Sequence, residues 1–375
     1  MTNLLEKIIS LHSQINTPAL VLDLERMQLN IRKMQQLADA HKKQLRPHIK
    51  THKSVLIARQ QLSMGATGIT AAKVSEAEVM AEGKIDDIFI ANQITHPRKL
   101  RKLRQLHDAV DLSVGLDHQQ QVELYAAHFT DADHPLKVLI EIDCGLQRCG
   151  VGIGASLVDL ARSVQSRPGL YLQGIFTHAG QVYAATSREE IAAIAEQEGK
   201  LMEDALQLLQ KNHISIKTVS VGSTPTAGYV AKNPAVTEIR PGNYVFYDGI
   251  QLALGTCQMD NCALFVLSTV ISQPDSQRIV IDAGSKALHL DQGAHATKIL
   301  TGFGIPLSLD GTIIRVSEEH GVIQLKNPQQ ITLGSPLIVL PNHACAVVNL
   351  YDYYYLLDGE GGFELVNIDA RGKSQ

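Results

Sequence analysis

The amino-acid sequence predicts an α/β protein, a (β/α)8 barrel of the TIM type followed by an all-β domain. From residue 19 to about 250, short apolar runs alternate with stretches of helical periodicity, and this alternation is typical of parallel βα units. After about residue 255, strand-like segments follow one another without helices between them. A doubly wound sheet is disfavoured because no glycine-rich dinucleotide fingerprint follows the first predicted strand.

The barrel is expected over residues 17–255 and the β-rich domain over residues 256–375. Between the first two predicted strands, Met27, Ile31 and Met34 recur at the spacing of an amphipathic helix. The predicted barrel strands are ALVLDL (19–24), QLRPHIK (44–50), TGITAA (67–72), DIFIAN (87–92), DLSVGL (111–116), LKVLIEID (136–143), LYLQGIF (170–176), IKTVSVG (216–222) and VTEIR (236–240). Eight or nine strands is the number that closes such a barrel.

Composition disfavours several classes of protein. A length of 375 residues suits a barrel with a smaller second domain. The formal charge of −4 gives no excess of basic residues to attract nucleic acid. Because no apolar run reaches ~18 residues and no signal-peptide pattern is present, we expect no membrane association and a cytoplasmic location. The five cysteines show no repeated CxxC pairing, which argues against a disulfide scaffold.

The stretch LRPHIKTHKS concentrates positive charge. In the predicted strand, Arg46, His48 and Lys50 would share one face because successive side chains alternate. Lys50 would be nearest the carboxyl end, where barrel active sites lie, and burial beside other cations lowers a lysine pKa, as Schiff-base formation requires. Lys53 is the weaker candidate because it would open the next helix. The alternative is that the strand ends earlier and KTHK is a solvated turn.

Glycines and polar residues follow several other predicted strands. The loop EIDCGLQRCGVG carries Arg148, and the motif THAG carries His178 directly after a strand. The loop VGSTPTAG offers backbone amides and hydroxyl groups that suit a phosphate group. Each of these features alone fits an ordinary turn or a core histidine. Because they follow successive parallel strands, we expect them to meet at the C-terminal mouth of the barrel.

Eight ordered motifs make the sequence resemble the D-threonine aldolase and D-serine dehydratase family. The motifs are RPHIKTHK, EIDCGLQRCGVG, THAG, GSTPT, RPGNYVFYD, DAGSKAL (282–288), SEEHG (317–321) and PNHACAVVNL (341–350). The resemblance extends from about residue 17 to 370. Members of this family are pyridoxal-phosphate (PLP) enzymes of the alanine racemase fold type. The resemblance therefore implies a PLP-binding barrel followed by a C-terminal β domain.

The resemblance implies a role for each matching residue around the cofactor ring. Lys50, the first lysine of the family's PHxKTxK motif, would hold PLP covalently through its ε-amine and act in catalysis. Arg148 matches an arginine that approaches the phenolate oxygen of PLP. His178 matches the histidine that stacks on the cofactor ring, and Tyr183 resembles a tyrosine of the cofactor and substrate pocket.

Further matching positions would surround the cofactor phosphate and the ring nitrogen. Ser223, Thr224, Gly242 and Asn243 match phosphate-binding positions of the family. Arg240 corresponds to the residue that faces the pyridine nitrogen in alanine racemases. This position varies within the dehydratase branch, so the resemblance leaves the partner of the ring nitrogen open.

The motif PNHACA suggests a second cofactor, a divalent metal ion. On a strand, His343 and Cys345 would point to the same side and could share the ion. Judged by spacing alone, a buried free cysteine is the commoner explanation. The resemblance favours the metal, because members similar to D-serine dehydratase carry His-x-Cys here, whereas D-threonine aldolases tend to carry His-x-Asp. Histidine and cysteine suit Zn²⁺, with Mn²⁺ or Mg²⁺ as the alternatives.

The resemblance implies a PLP- and metal-dependent lyase for D-β-hydroxy amino acids. The expected reaction is the β-elimination of D-serine dehydratase, which gives a 2-oxo acid and ammonia. The alternatives are D-threonine aldolase, which gives glycine and an aldehyde, and D-threo-3-hydroxyaspartate dehydratase. An amino-acid racemase would leave the histidine and cysteine pair unexplained. A non-catalytic PLP carrier would lack the β domain.

The resemblance also implies the assembly. Family members form homodimers in which the active site lies between the barrel of one subunit and the β domain of the other. The expected partners are thus a second copy of this chain and a small-molecule D-amino acid, without nucleic acid or membrane. The motifs do not distinguish which D-β-hydroxy amino acid is the substrate.

Overall fold

We describe a computed structural model of the chain, which covers residues 2–295 and 297–375. Its strands are β1 (Ala19–Asp23), β2 (Gln44–Leu45), β3 (Ile69–Ala71), β4 (Asp87–Gln93), β5 (Asp111–Leu116), β6 (Leu136–Glu141), β7 (Leu170–Phe176), β8 (Thr218–Val221), β9 (Glu238–Ile239), β10 (Leu264–Asp275), β11 (Arg278–Ile281), β12 (Ile305–Pro306), β13 (Gly311–Val316), β14 (Gly321–Leu325), β15 (Pro336–Leu340), β16 (Tyr353–Leu357) and β17 (Phe363–Asn367). Its α-helices are α1 (Thr2–Leu11), α2 (Leu24–Ala40), α3 (Val55–Ser63), α4 (Val74–Glu82), α5 (Pro97–Ala109), α6 (Gln119–His128), α7 (Ala155–Gln165), α8 (Arg188–Lys211), α9 (Ala227–Val230), α10 (Gly249–Ala253), α11 (Ser285–Leu288) and α12 (Ala344–Val348).

The strands β2 to β9 form a parallel barrel, as the sequence predicts. Their order is β2-β9-β8-β7-β6-β5-β4-β3, with parallel pairing throughout. The Ile49 amide donates to the Thr70 carbonyl at 2.9 Å, and the Thr70 amide donates to the Pro47 carbonyl at 2.8 Å. These bonds join the segment after β2 to β3 and close the ring. The (β/α)8 prediction is therefore confirmed.

The barrel elements follow from local sequence signals. The strands are almost wholly buried, as parallel strands covered on both faces require, and they therefore appear as apolar runs. Helix α5 shows local helix signals, with Pro97 in its first turn and the Arg98 amide donating a capping hydrogen bond to the His96 side chain. Its Leu100 and Leu103 are buried at helical spacing. Among the helices of residues 2–295 and 297–375, none has the length and apolar character needed to cross a bilayer.

The remaining strands form a second, mostly antiparallel sheet. Its main path is β13-β14-β11-β10-β1-β16-β17, with β15 beside β10 and β12 beside β15. An apolar cluster that includes Ile8, Leu11, Phe265, Ile338 and Leu357 is packed against this sheet. The strand-rich texture after residue 255 is thus confirmed as a separate sheet.

The predicted first barrel strand is a strand, but it belongs to the second sheet. Strand β1 pairs antiparallel with β10 and parallel with β16. All five of its residues are buried, so its composition suits an inner strand of any covered sheet, and alternation along the chain cannot assign its partner. This corrects the predicted barrel, whose first strand is β2.

The chain forms two compact units. One comprises residues 33–50, 55–242 and 372–375 and contains the barrel. The other comprises the residues up to Arg32, residues 51–54 and Asn243–Arg371, and contains the second sheet. Because the chain passes between the units more than once, the single predicted boundary between 17–255 and 256–375 stays a prediction.

Arg46 is a structural residue of the barrel unit. Its Nε lies 2.7 Å from Glu238 Oε2, and its Nη1 lies 2.5 Å from Asp87 Oδ1. Only 7% of Arg46 and 2% of Glu238 are exposed. Burial lowers the pKa of Arg46, but the two carboxylates outweigh burial and raise it above its ordinary value. The positive charge of Arg46 is therefore neutralised by carboxylates within the barrel unit.

Replacing Arg46 by methionine is expected to destabilise the protein by about 3 kcal/mol, because Glu238 would remain buried without its counter-ion. Urea unfolding of R46M and the wild-type protein measures the difference. Lys102 forms an exposed pair with Glu78 at 2.6 Å, so K102M should cost less than about 1 kcal/mol. Equal losses in the two variants would refute the structural role of Arg46.

Candidate active site

The barrel gathers most of the predicted cofactor residues at one end. They lie on segments that follow the carboxyl ends of strands, namely Lys50 after β2, Arg148 after β6, His178 and Tyr183 after β7, Ser223 and Thr224 after β8, and Arg240 and Gly242 after β9. Because the strands are parallel, these segments emerge at the same end of the barrel. Asn243 begins the next segment, which belongs to the other compact unit.

Lys50 lies in a turn and not on a strand face, which corrects the prediction. The amides of Arg46 and His48 donate to the carbonyls of Ile239 and Pro241 at 3.0 Å. The two-residue spacing of strand-like backbone hydrogen bonds therefore continues through His48. Residues 49–52 then form a turn. Lys50 is half-buried there, with its amide 3.4 Å from His48 Nδ1.

The alternative of a solvated KTHK turn is only half correct. The turn is present, but Thr51 and His52 are 0% exposed and Lys53 is 6% exposed. Lys53 Nζ lies 3.5 Å from the Ala370 carbonyl. A charge run normally indicates a solvated surface, whereas here the residues that follow Lys50 are buried.

The predicted phosphate loop has the composition that an anion requires. Gly222 has a φ of +106°, a conformation that favours glycine. Ser223 and Thr224 are each only 4% exposed. The Ser223 amide donates to Thr226 Oγ1 at 3.1 Å, and the two hydroxyl oxygens are also 3.1 Å apart. A glycine turn with two nearly buried hydroxyl residues fits a phosphate group.

Glu198 lies beneath this loop, and the sequence interpretation missed it. It is 0% exposed, and its Oε1 accepts a hydrogen bond from the Gly222 amide at 3.1 Å. Burial raises its pKa to about 7. The missed signal is periodicity, because Glu198 falls on the face of α8 that also buries Ile191, Ala195 and Met202.

Replacing Glu198 by glutamine should remove part of the pH dependence of stability. The folded pKa of Glu198 is raised above 4.5, so its stabilising contribution is complete below about pH 4.5 and is lost as the pH rises through about 7. The free energy of unfolding of E198Q relative to wild type should rise by up to about 3 kcal/mol between pH 5 and 8. Denaturant unfolding across this range measures it.

A matched control is available on the same helix. Glu196 is exposed, so E196Q should shift stability by less than about 0.5 kcal/mol at every pH. A difference between E198Q and wild type that does not change with pH would contradict the raised pKa.

Arg240 is held inside the barrel unit. It is 5% exposed and donates to Ser220 Oγ and to the Thr177 carbonyl, each at 2.6 Å. Its guanidinium carbon lies 5.7 Å from the Phe89 ring centre and 5.3 Å from that of Phe176, within cation–π range. Burial lowers its pKa. Its role at the ring nitrogen stays a prediction.

Arg148 lies at the edge of an acidic group. Its side chain is 50% exposed, and its Nη2 is 3.9 Å from Glu141 Oε1. The ligand atoms of Asp117, Glu141 and Cys149 lie within 4.8 Å of one another. However, Asp117 Oδ2 already accepts from the Gly150 amide at 2.8 Å, and Glu141 accepts from Gln93. Both carboxylates are already engaged in hydrogen bonds within the barrel unit, so we assign no metal to them.

His178 precedes a 3-10 turn over Gly180–Ala184, and Tyr183 lies within that turn. Both side chains are half-buried. The Gly180 amide donates to the His178 carbonyl at 2.9 Å, which folds the backbone back directly after β7. Stacking of His178 on the cofactor ring, and contact of Tyr183 with it, stay predictions.

His343 and Cys345 lie together in the unit that contains the second sheet, although not on a strand. Strand β15 ends at Leu340 and Pro341 follows it. His343 occupies the N-cap position of α12 without a side-chain capping bond, and Cys345 lies in the first turn of that helix. The strand prediction is therefore wrong, because Pro341 has no amide to continue a ladder. His343 and Cys345 nevertheless lie two residues apart at the start of α12, and Cys345 helps to raise the pKa of His343.

A carboxylate orients His343. Its Nδ1 lies 2.7 Å from Asp291 Oδ2, and Asp291 Oδ1 is 3.2 Å from His289 Nδ1. Burial lowers the pKa of His343, but Cys345 and Asp291 outweigh it and raise the pKa to about 10. Nδ1 faces Asp291, so Nε2 is the nitrogen left for a metal, the carboxylate–histidine arrangement usual at metal sites.

The Asn243 side chain faces Asp248. Its Nδ2 donates to Asp248 Oδ2 at 2.6 Å, and its buried Oδ1 accepts no hydrogen bond from residues 2–295 or 297–375. A carbonyl oxygen cannot donate to a phosphate group. The donors that Asn243 could offer to a phosphate group are therefore its backbone amide and the second hydrogen on Nδ2.

Comparison with known proteins now identifies the family. The family described as "Alanine racemase, N-terminal domain" matches residues 22–249, and the "Putative serine dehydratase domain" matches residues 263–357. A D-threonine aldolase of Arthrobacter sp. is 35% identical over 97% of this chain and 94% of its own length. A D-threo-3-hydroxyaspartate dehydratase of Delftia sp. strain HT23 is 35% identical over 93% of this chain and 96% of its own.

A solved structure extends this likeness to three dimensions. It is a cysteine-to-alanine mutant of D-threo-3-hydroxyaspartate dehydratase in the metal-free form, with a TM-score of 0.87 and 34% identity over 94% of this chain and 97% of that one. Fold and relatives together define a PLP-dependent lyase with an alanine racemase-like barrel. The chain belongs to the D-threonine aldolase and D-serine dehydratase family.

Proposed function

We propose that this lyase eliminates the β-hydroxyl group of a D-β-hydroxy amino acid, as D-serine dehydratase does, with PLP and a divalent metal ion. The observation that carries the proposal is the placement of His343 and Cys345 together at the start of α12, with Asp291 Oδ2 2.7 Å from His343 Nδ1. A soft histidine–cysteine pair suits zinc. The net reaction converts the amino acid to a 2-oxo acid and ammonia, because the water lost in elimination is recovered in hydrolysis.

The residues of the barrel would bind PLP and move one proton. Lys50 would hold the cofactor covalently until the substrate amine displaces it, and the freed ε-amine would then take the proton from the substrate Cα. When bound, PLP supplies an electron sink for the electrons left at Cα. Ser223 and Thr224, with the backbone of Gly242 and Asn243, would hold the phosphate group. Arg148 and His178 would orient the ring from the ends of β6 and β7.

His343 and Cys345 would hold the metal ion, which would supply Lewis acidity for the departing β-hydroxyl group. Two protein ligands leave coordination positions open for an oxygen ligand. Asp291 would keep His343 in the tautomer that presents Nε2. Zinc is the proposed metal, because Mn²⁺ and Mg²⁺ prefer oxygen ligands.

The aldolase reaction is the second candidate, because the Arthrobacter D-threonine aldolase is as similar to this chain as the Delftia dehydratase. The same residues could serve either reaction, since both begin with a bound D-β-hydroxy amino acid. Cys345 favours elimination, because the family's aldolases tend to carry aspartate at this position. The racemase and the non-catalytic carrier gain no support from the lyase relatives.

We further propose a cytoplasmic homodimer in which the barrel of one subunit and the β domain of its partner complete each active site. Family resemblance supports this arrangement. Sedimentation of the protein at micromolar concentration should give a dimer, whereas a monomer with full activity would refute it.

A product assay tests the proposed function. The PLP- and zinc-loaded protein is incubated with D-serine, D-threonine or D-threo-3-hydroxyaspartate, and with the corresponding L-enantiomers. We expect pyruvate, 2-oxobutyrate or oxaloacetate with equimolar ammonia from at least one D-substrate, and none from its L-enantiomer. Glycine as the only amino-acid product would establish the aldolase reaction instead.

A further inference from the structure

A single buried carboxylate links two segments of the unit that contains the second sheet. Asp248 is 0% exposed. Its Oδ1 accepts from the Gln251 amide at 3.0 Å and caps helix α10. Its Oδ2 accepts from Asn243 Nδ2 at 2.6 Å and from the Ala344 amide at 2.8 Å. One oxygen therefore caps a helix, while the other joins two distant parts of the chain.

The two donors to Oδ2 belong to the two proposed ligand sites. Asn243 is a proposed phosphate-binding residue, and Ala344 lies between the proposed metal ligands His343 and Cys345. Both hydrogen bonds end on a carboxylate oxygen, and such charge-assisted bonds are short and strong. They are also buried, so water competes little for them.

We propose that Asp248 is a positioning residue that couples metal binding to cofactor binding, an inference that rests on the proposed function. Zinc on His343 and Cys345 fixes the Ala344 amide between them. Ala344 in turn fixes the carboxylate, which holds the segment that begins at Asn243. By linkage, the cofactor must raise zinc affinity by the same factor as zinc raises cofactor affinity.

The variant D248N removes the proposed coupling but keeps the helix cap. Asparagine is as good an N-cap as aspartate, and its side-chain oxygen can accept from the Gln251 amide. Its amide nitrogen then faces the two donors, Asn243 Nδ2 and the Ala344 amide, and cannot accept from either. D248N therefore breaks the proposed link while the cap is retained.

The test is a comparison of zinc affinity with and without PLP in the full-length protein, by competition with a fluorescent chelator. In wild type, PLP should lower the dissociation constant of zinc about 5-fold or more, the usual scale of such coupling. In D248N the ratio should fall to about 1. N243A removes the other end of the link and should give the same ratio, which keeps the test informative if D248N does not fold.

D291N is the matched control. Asp291 contacts His343 and not Asp248, so D291N should weaken zinc binding equally with and without PLP and leave the ratio unchanged. A wild-type ratio of 1, or an unchanged ratio in both D248N and N243A, would overturn the inference. Failure of wild type to bind zinc or PLP at all would instead overturn the proposed function.

Discussion

Replacing Lys50 by alanine is expected to abolish turnover and the absorption band of the covalently held cofactor. Lys50 is half-buried in the turn that follows β2, at the end of the barrel that carries the other predicted cofactor residues. The substitution removes both the covalent attachment and the proposed base. A base alone contributes about 10²- to 10⁴-fold, so a loss of turnover of at least about 10³-fold is expected.

Lys53 provides the matched control for this substitution. It lies three residues further along the same stretch, and its Nζ is 3.5 Å from the Ala370 carbonyl. We expect K53A to keep the cofactor band. Borohydride reduction followed by peptide mass spectrometry should place the cofactor on Lys50 in wild type. A band that persists in K50A, or a cofactor found on Lys53, would contradict the assignment.

Removal of the metal ion, or of its ligands, is expected to have the second largest effect. Chelator treatment, H343A and C345A should each lower β-elimination about 10²-fold or more, because the β-hydroxyl is a poor leaving group without a Lewis acid. PLP should remain bound, since Lys50 is unchanged. Added zinc should restore activity to the chelated wild type but not to either variant.

Substitution of Cys149 tests whether the metal ion is bound by the acidic group of the barrel instead of by His343 and Cys345. Cys149 lies with Asp117 and Glu141 in a group that could also hold a cation. We expect C149A to retain stoichiometric zinc and C345A to lose it, as measured by elemental analysis after gel filtration. The opposite pattern would move the metal to the barrel group and would remove His343 and Cys345 from the proposal.

The class of fold could be predicted from the sequence because the alternation of strand and helix patterns is repeated along the chain. Most predicted barrel strands agree with the structure within a few residues, and DLSVGL (111–116) and LYLQGIF (170–176) agree completely. Strand β1 shows where prediction from alternation along the chain fails. A strand that is buried on both faces has no alternation to reveal its neighbours, and its partners β10 and β16 are far away in sequence.

The site shows the same division between local and non-local information. Motif order located His343 and Cys345 although the local strand prediction was wrong, and their role as metal ligands stays a prediction. Glu198 and Asp248 were missed because their importance lies in contacts with Gly222, Asn243 and Ala344. Such contacts join residues on different elements, and no local spacing reveals them.

The ratio of ammonia to glycine formed from the fastest D-substrate is the most direct test of the proposed β-elimination. Both products are measured on the same sample of PLP- and zinc-loaded protein, so the ratio does not depend on the fraction of active enzyme. We predict one ammonia for each substrate molecule consumed and no glycine above background. Glycine equal to the substrate consumed, with no ammonia, would contradict the proposed reaction.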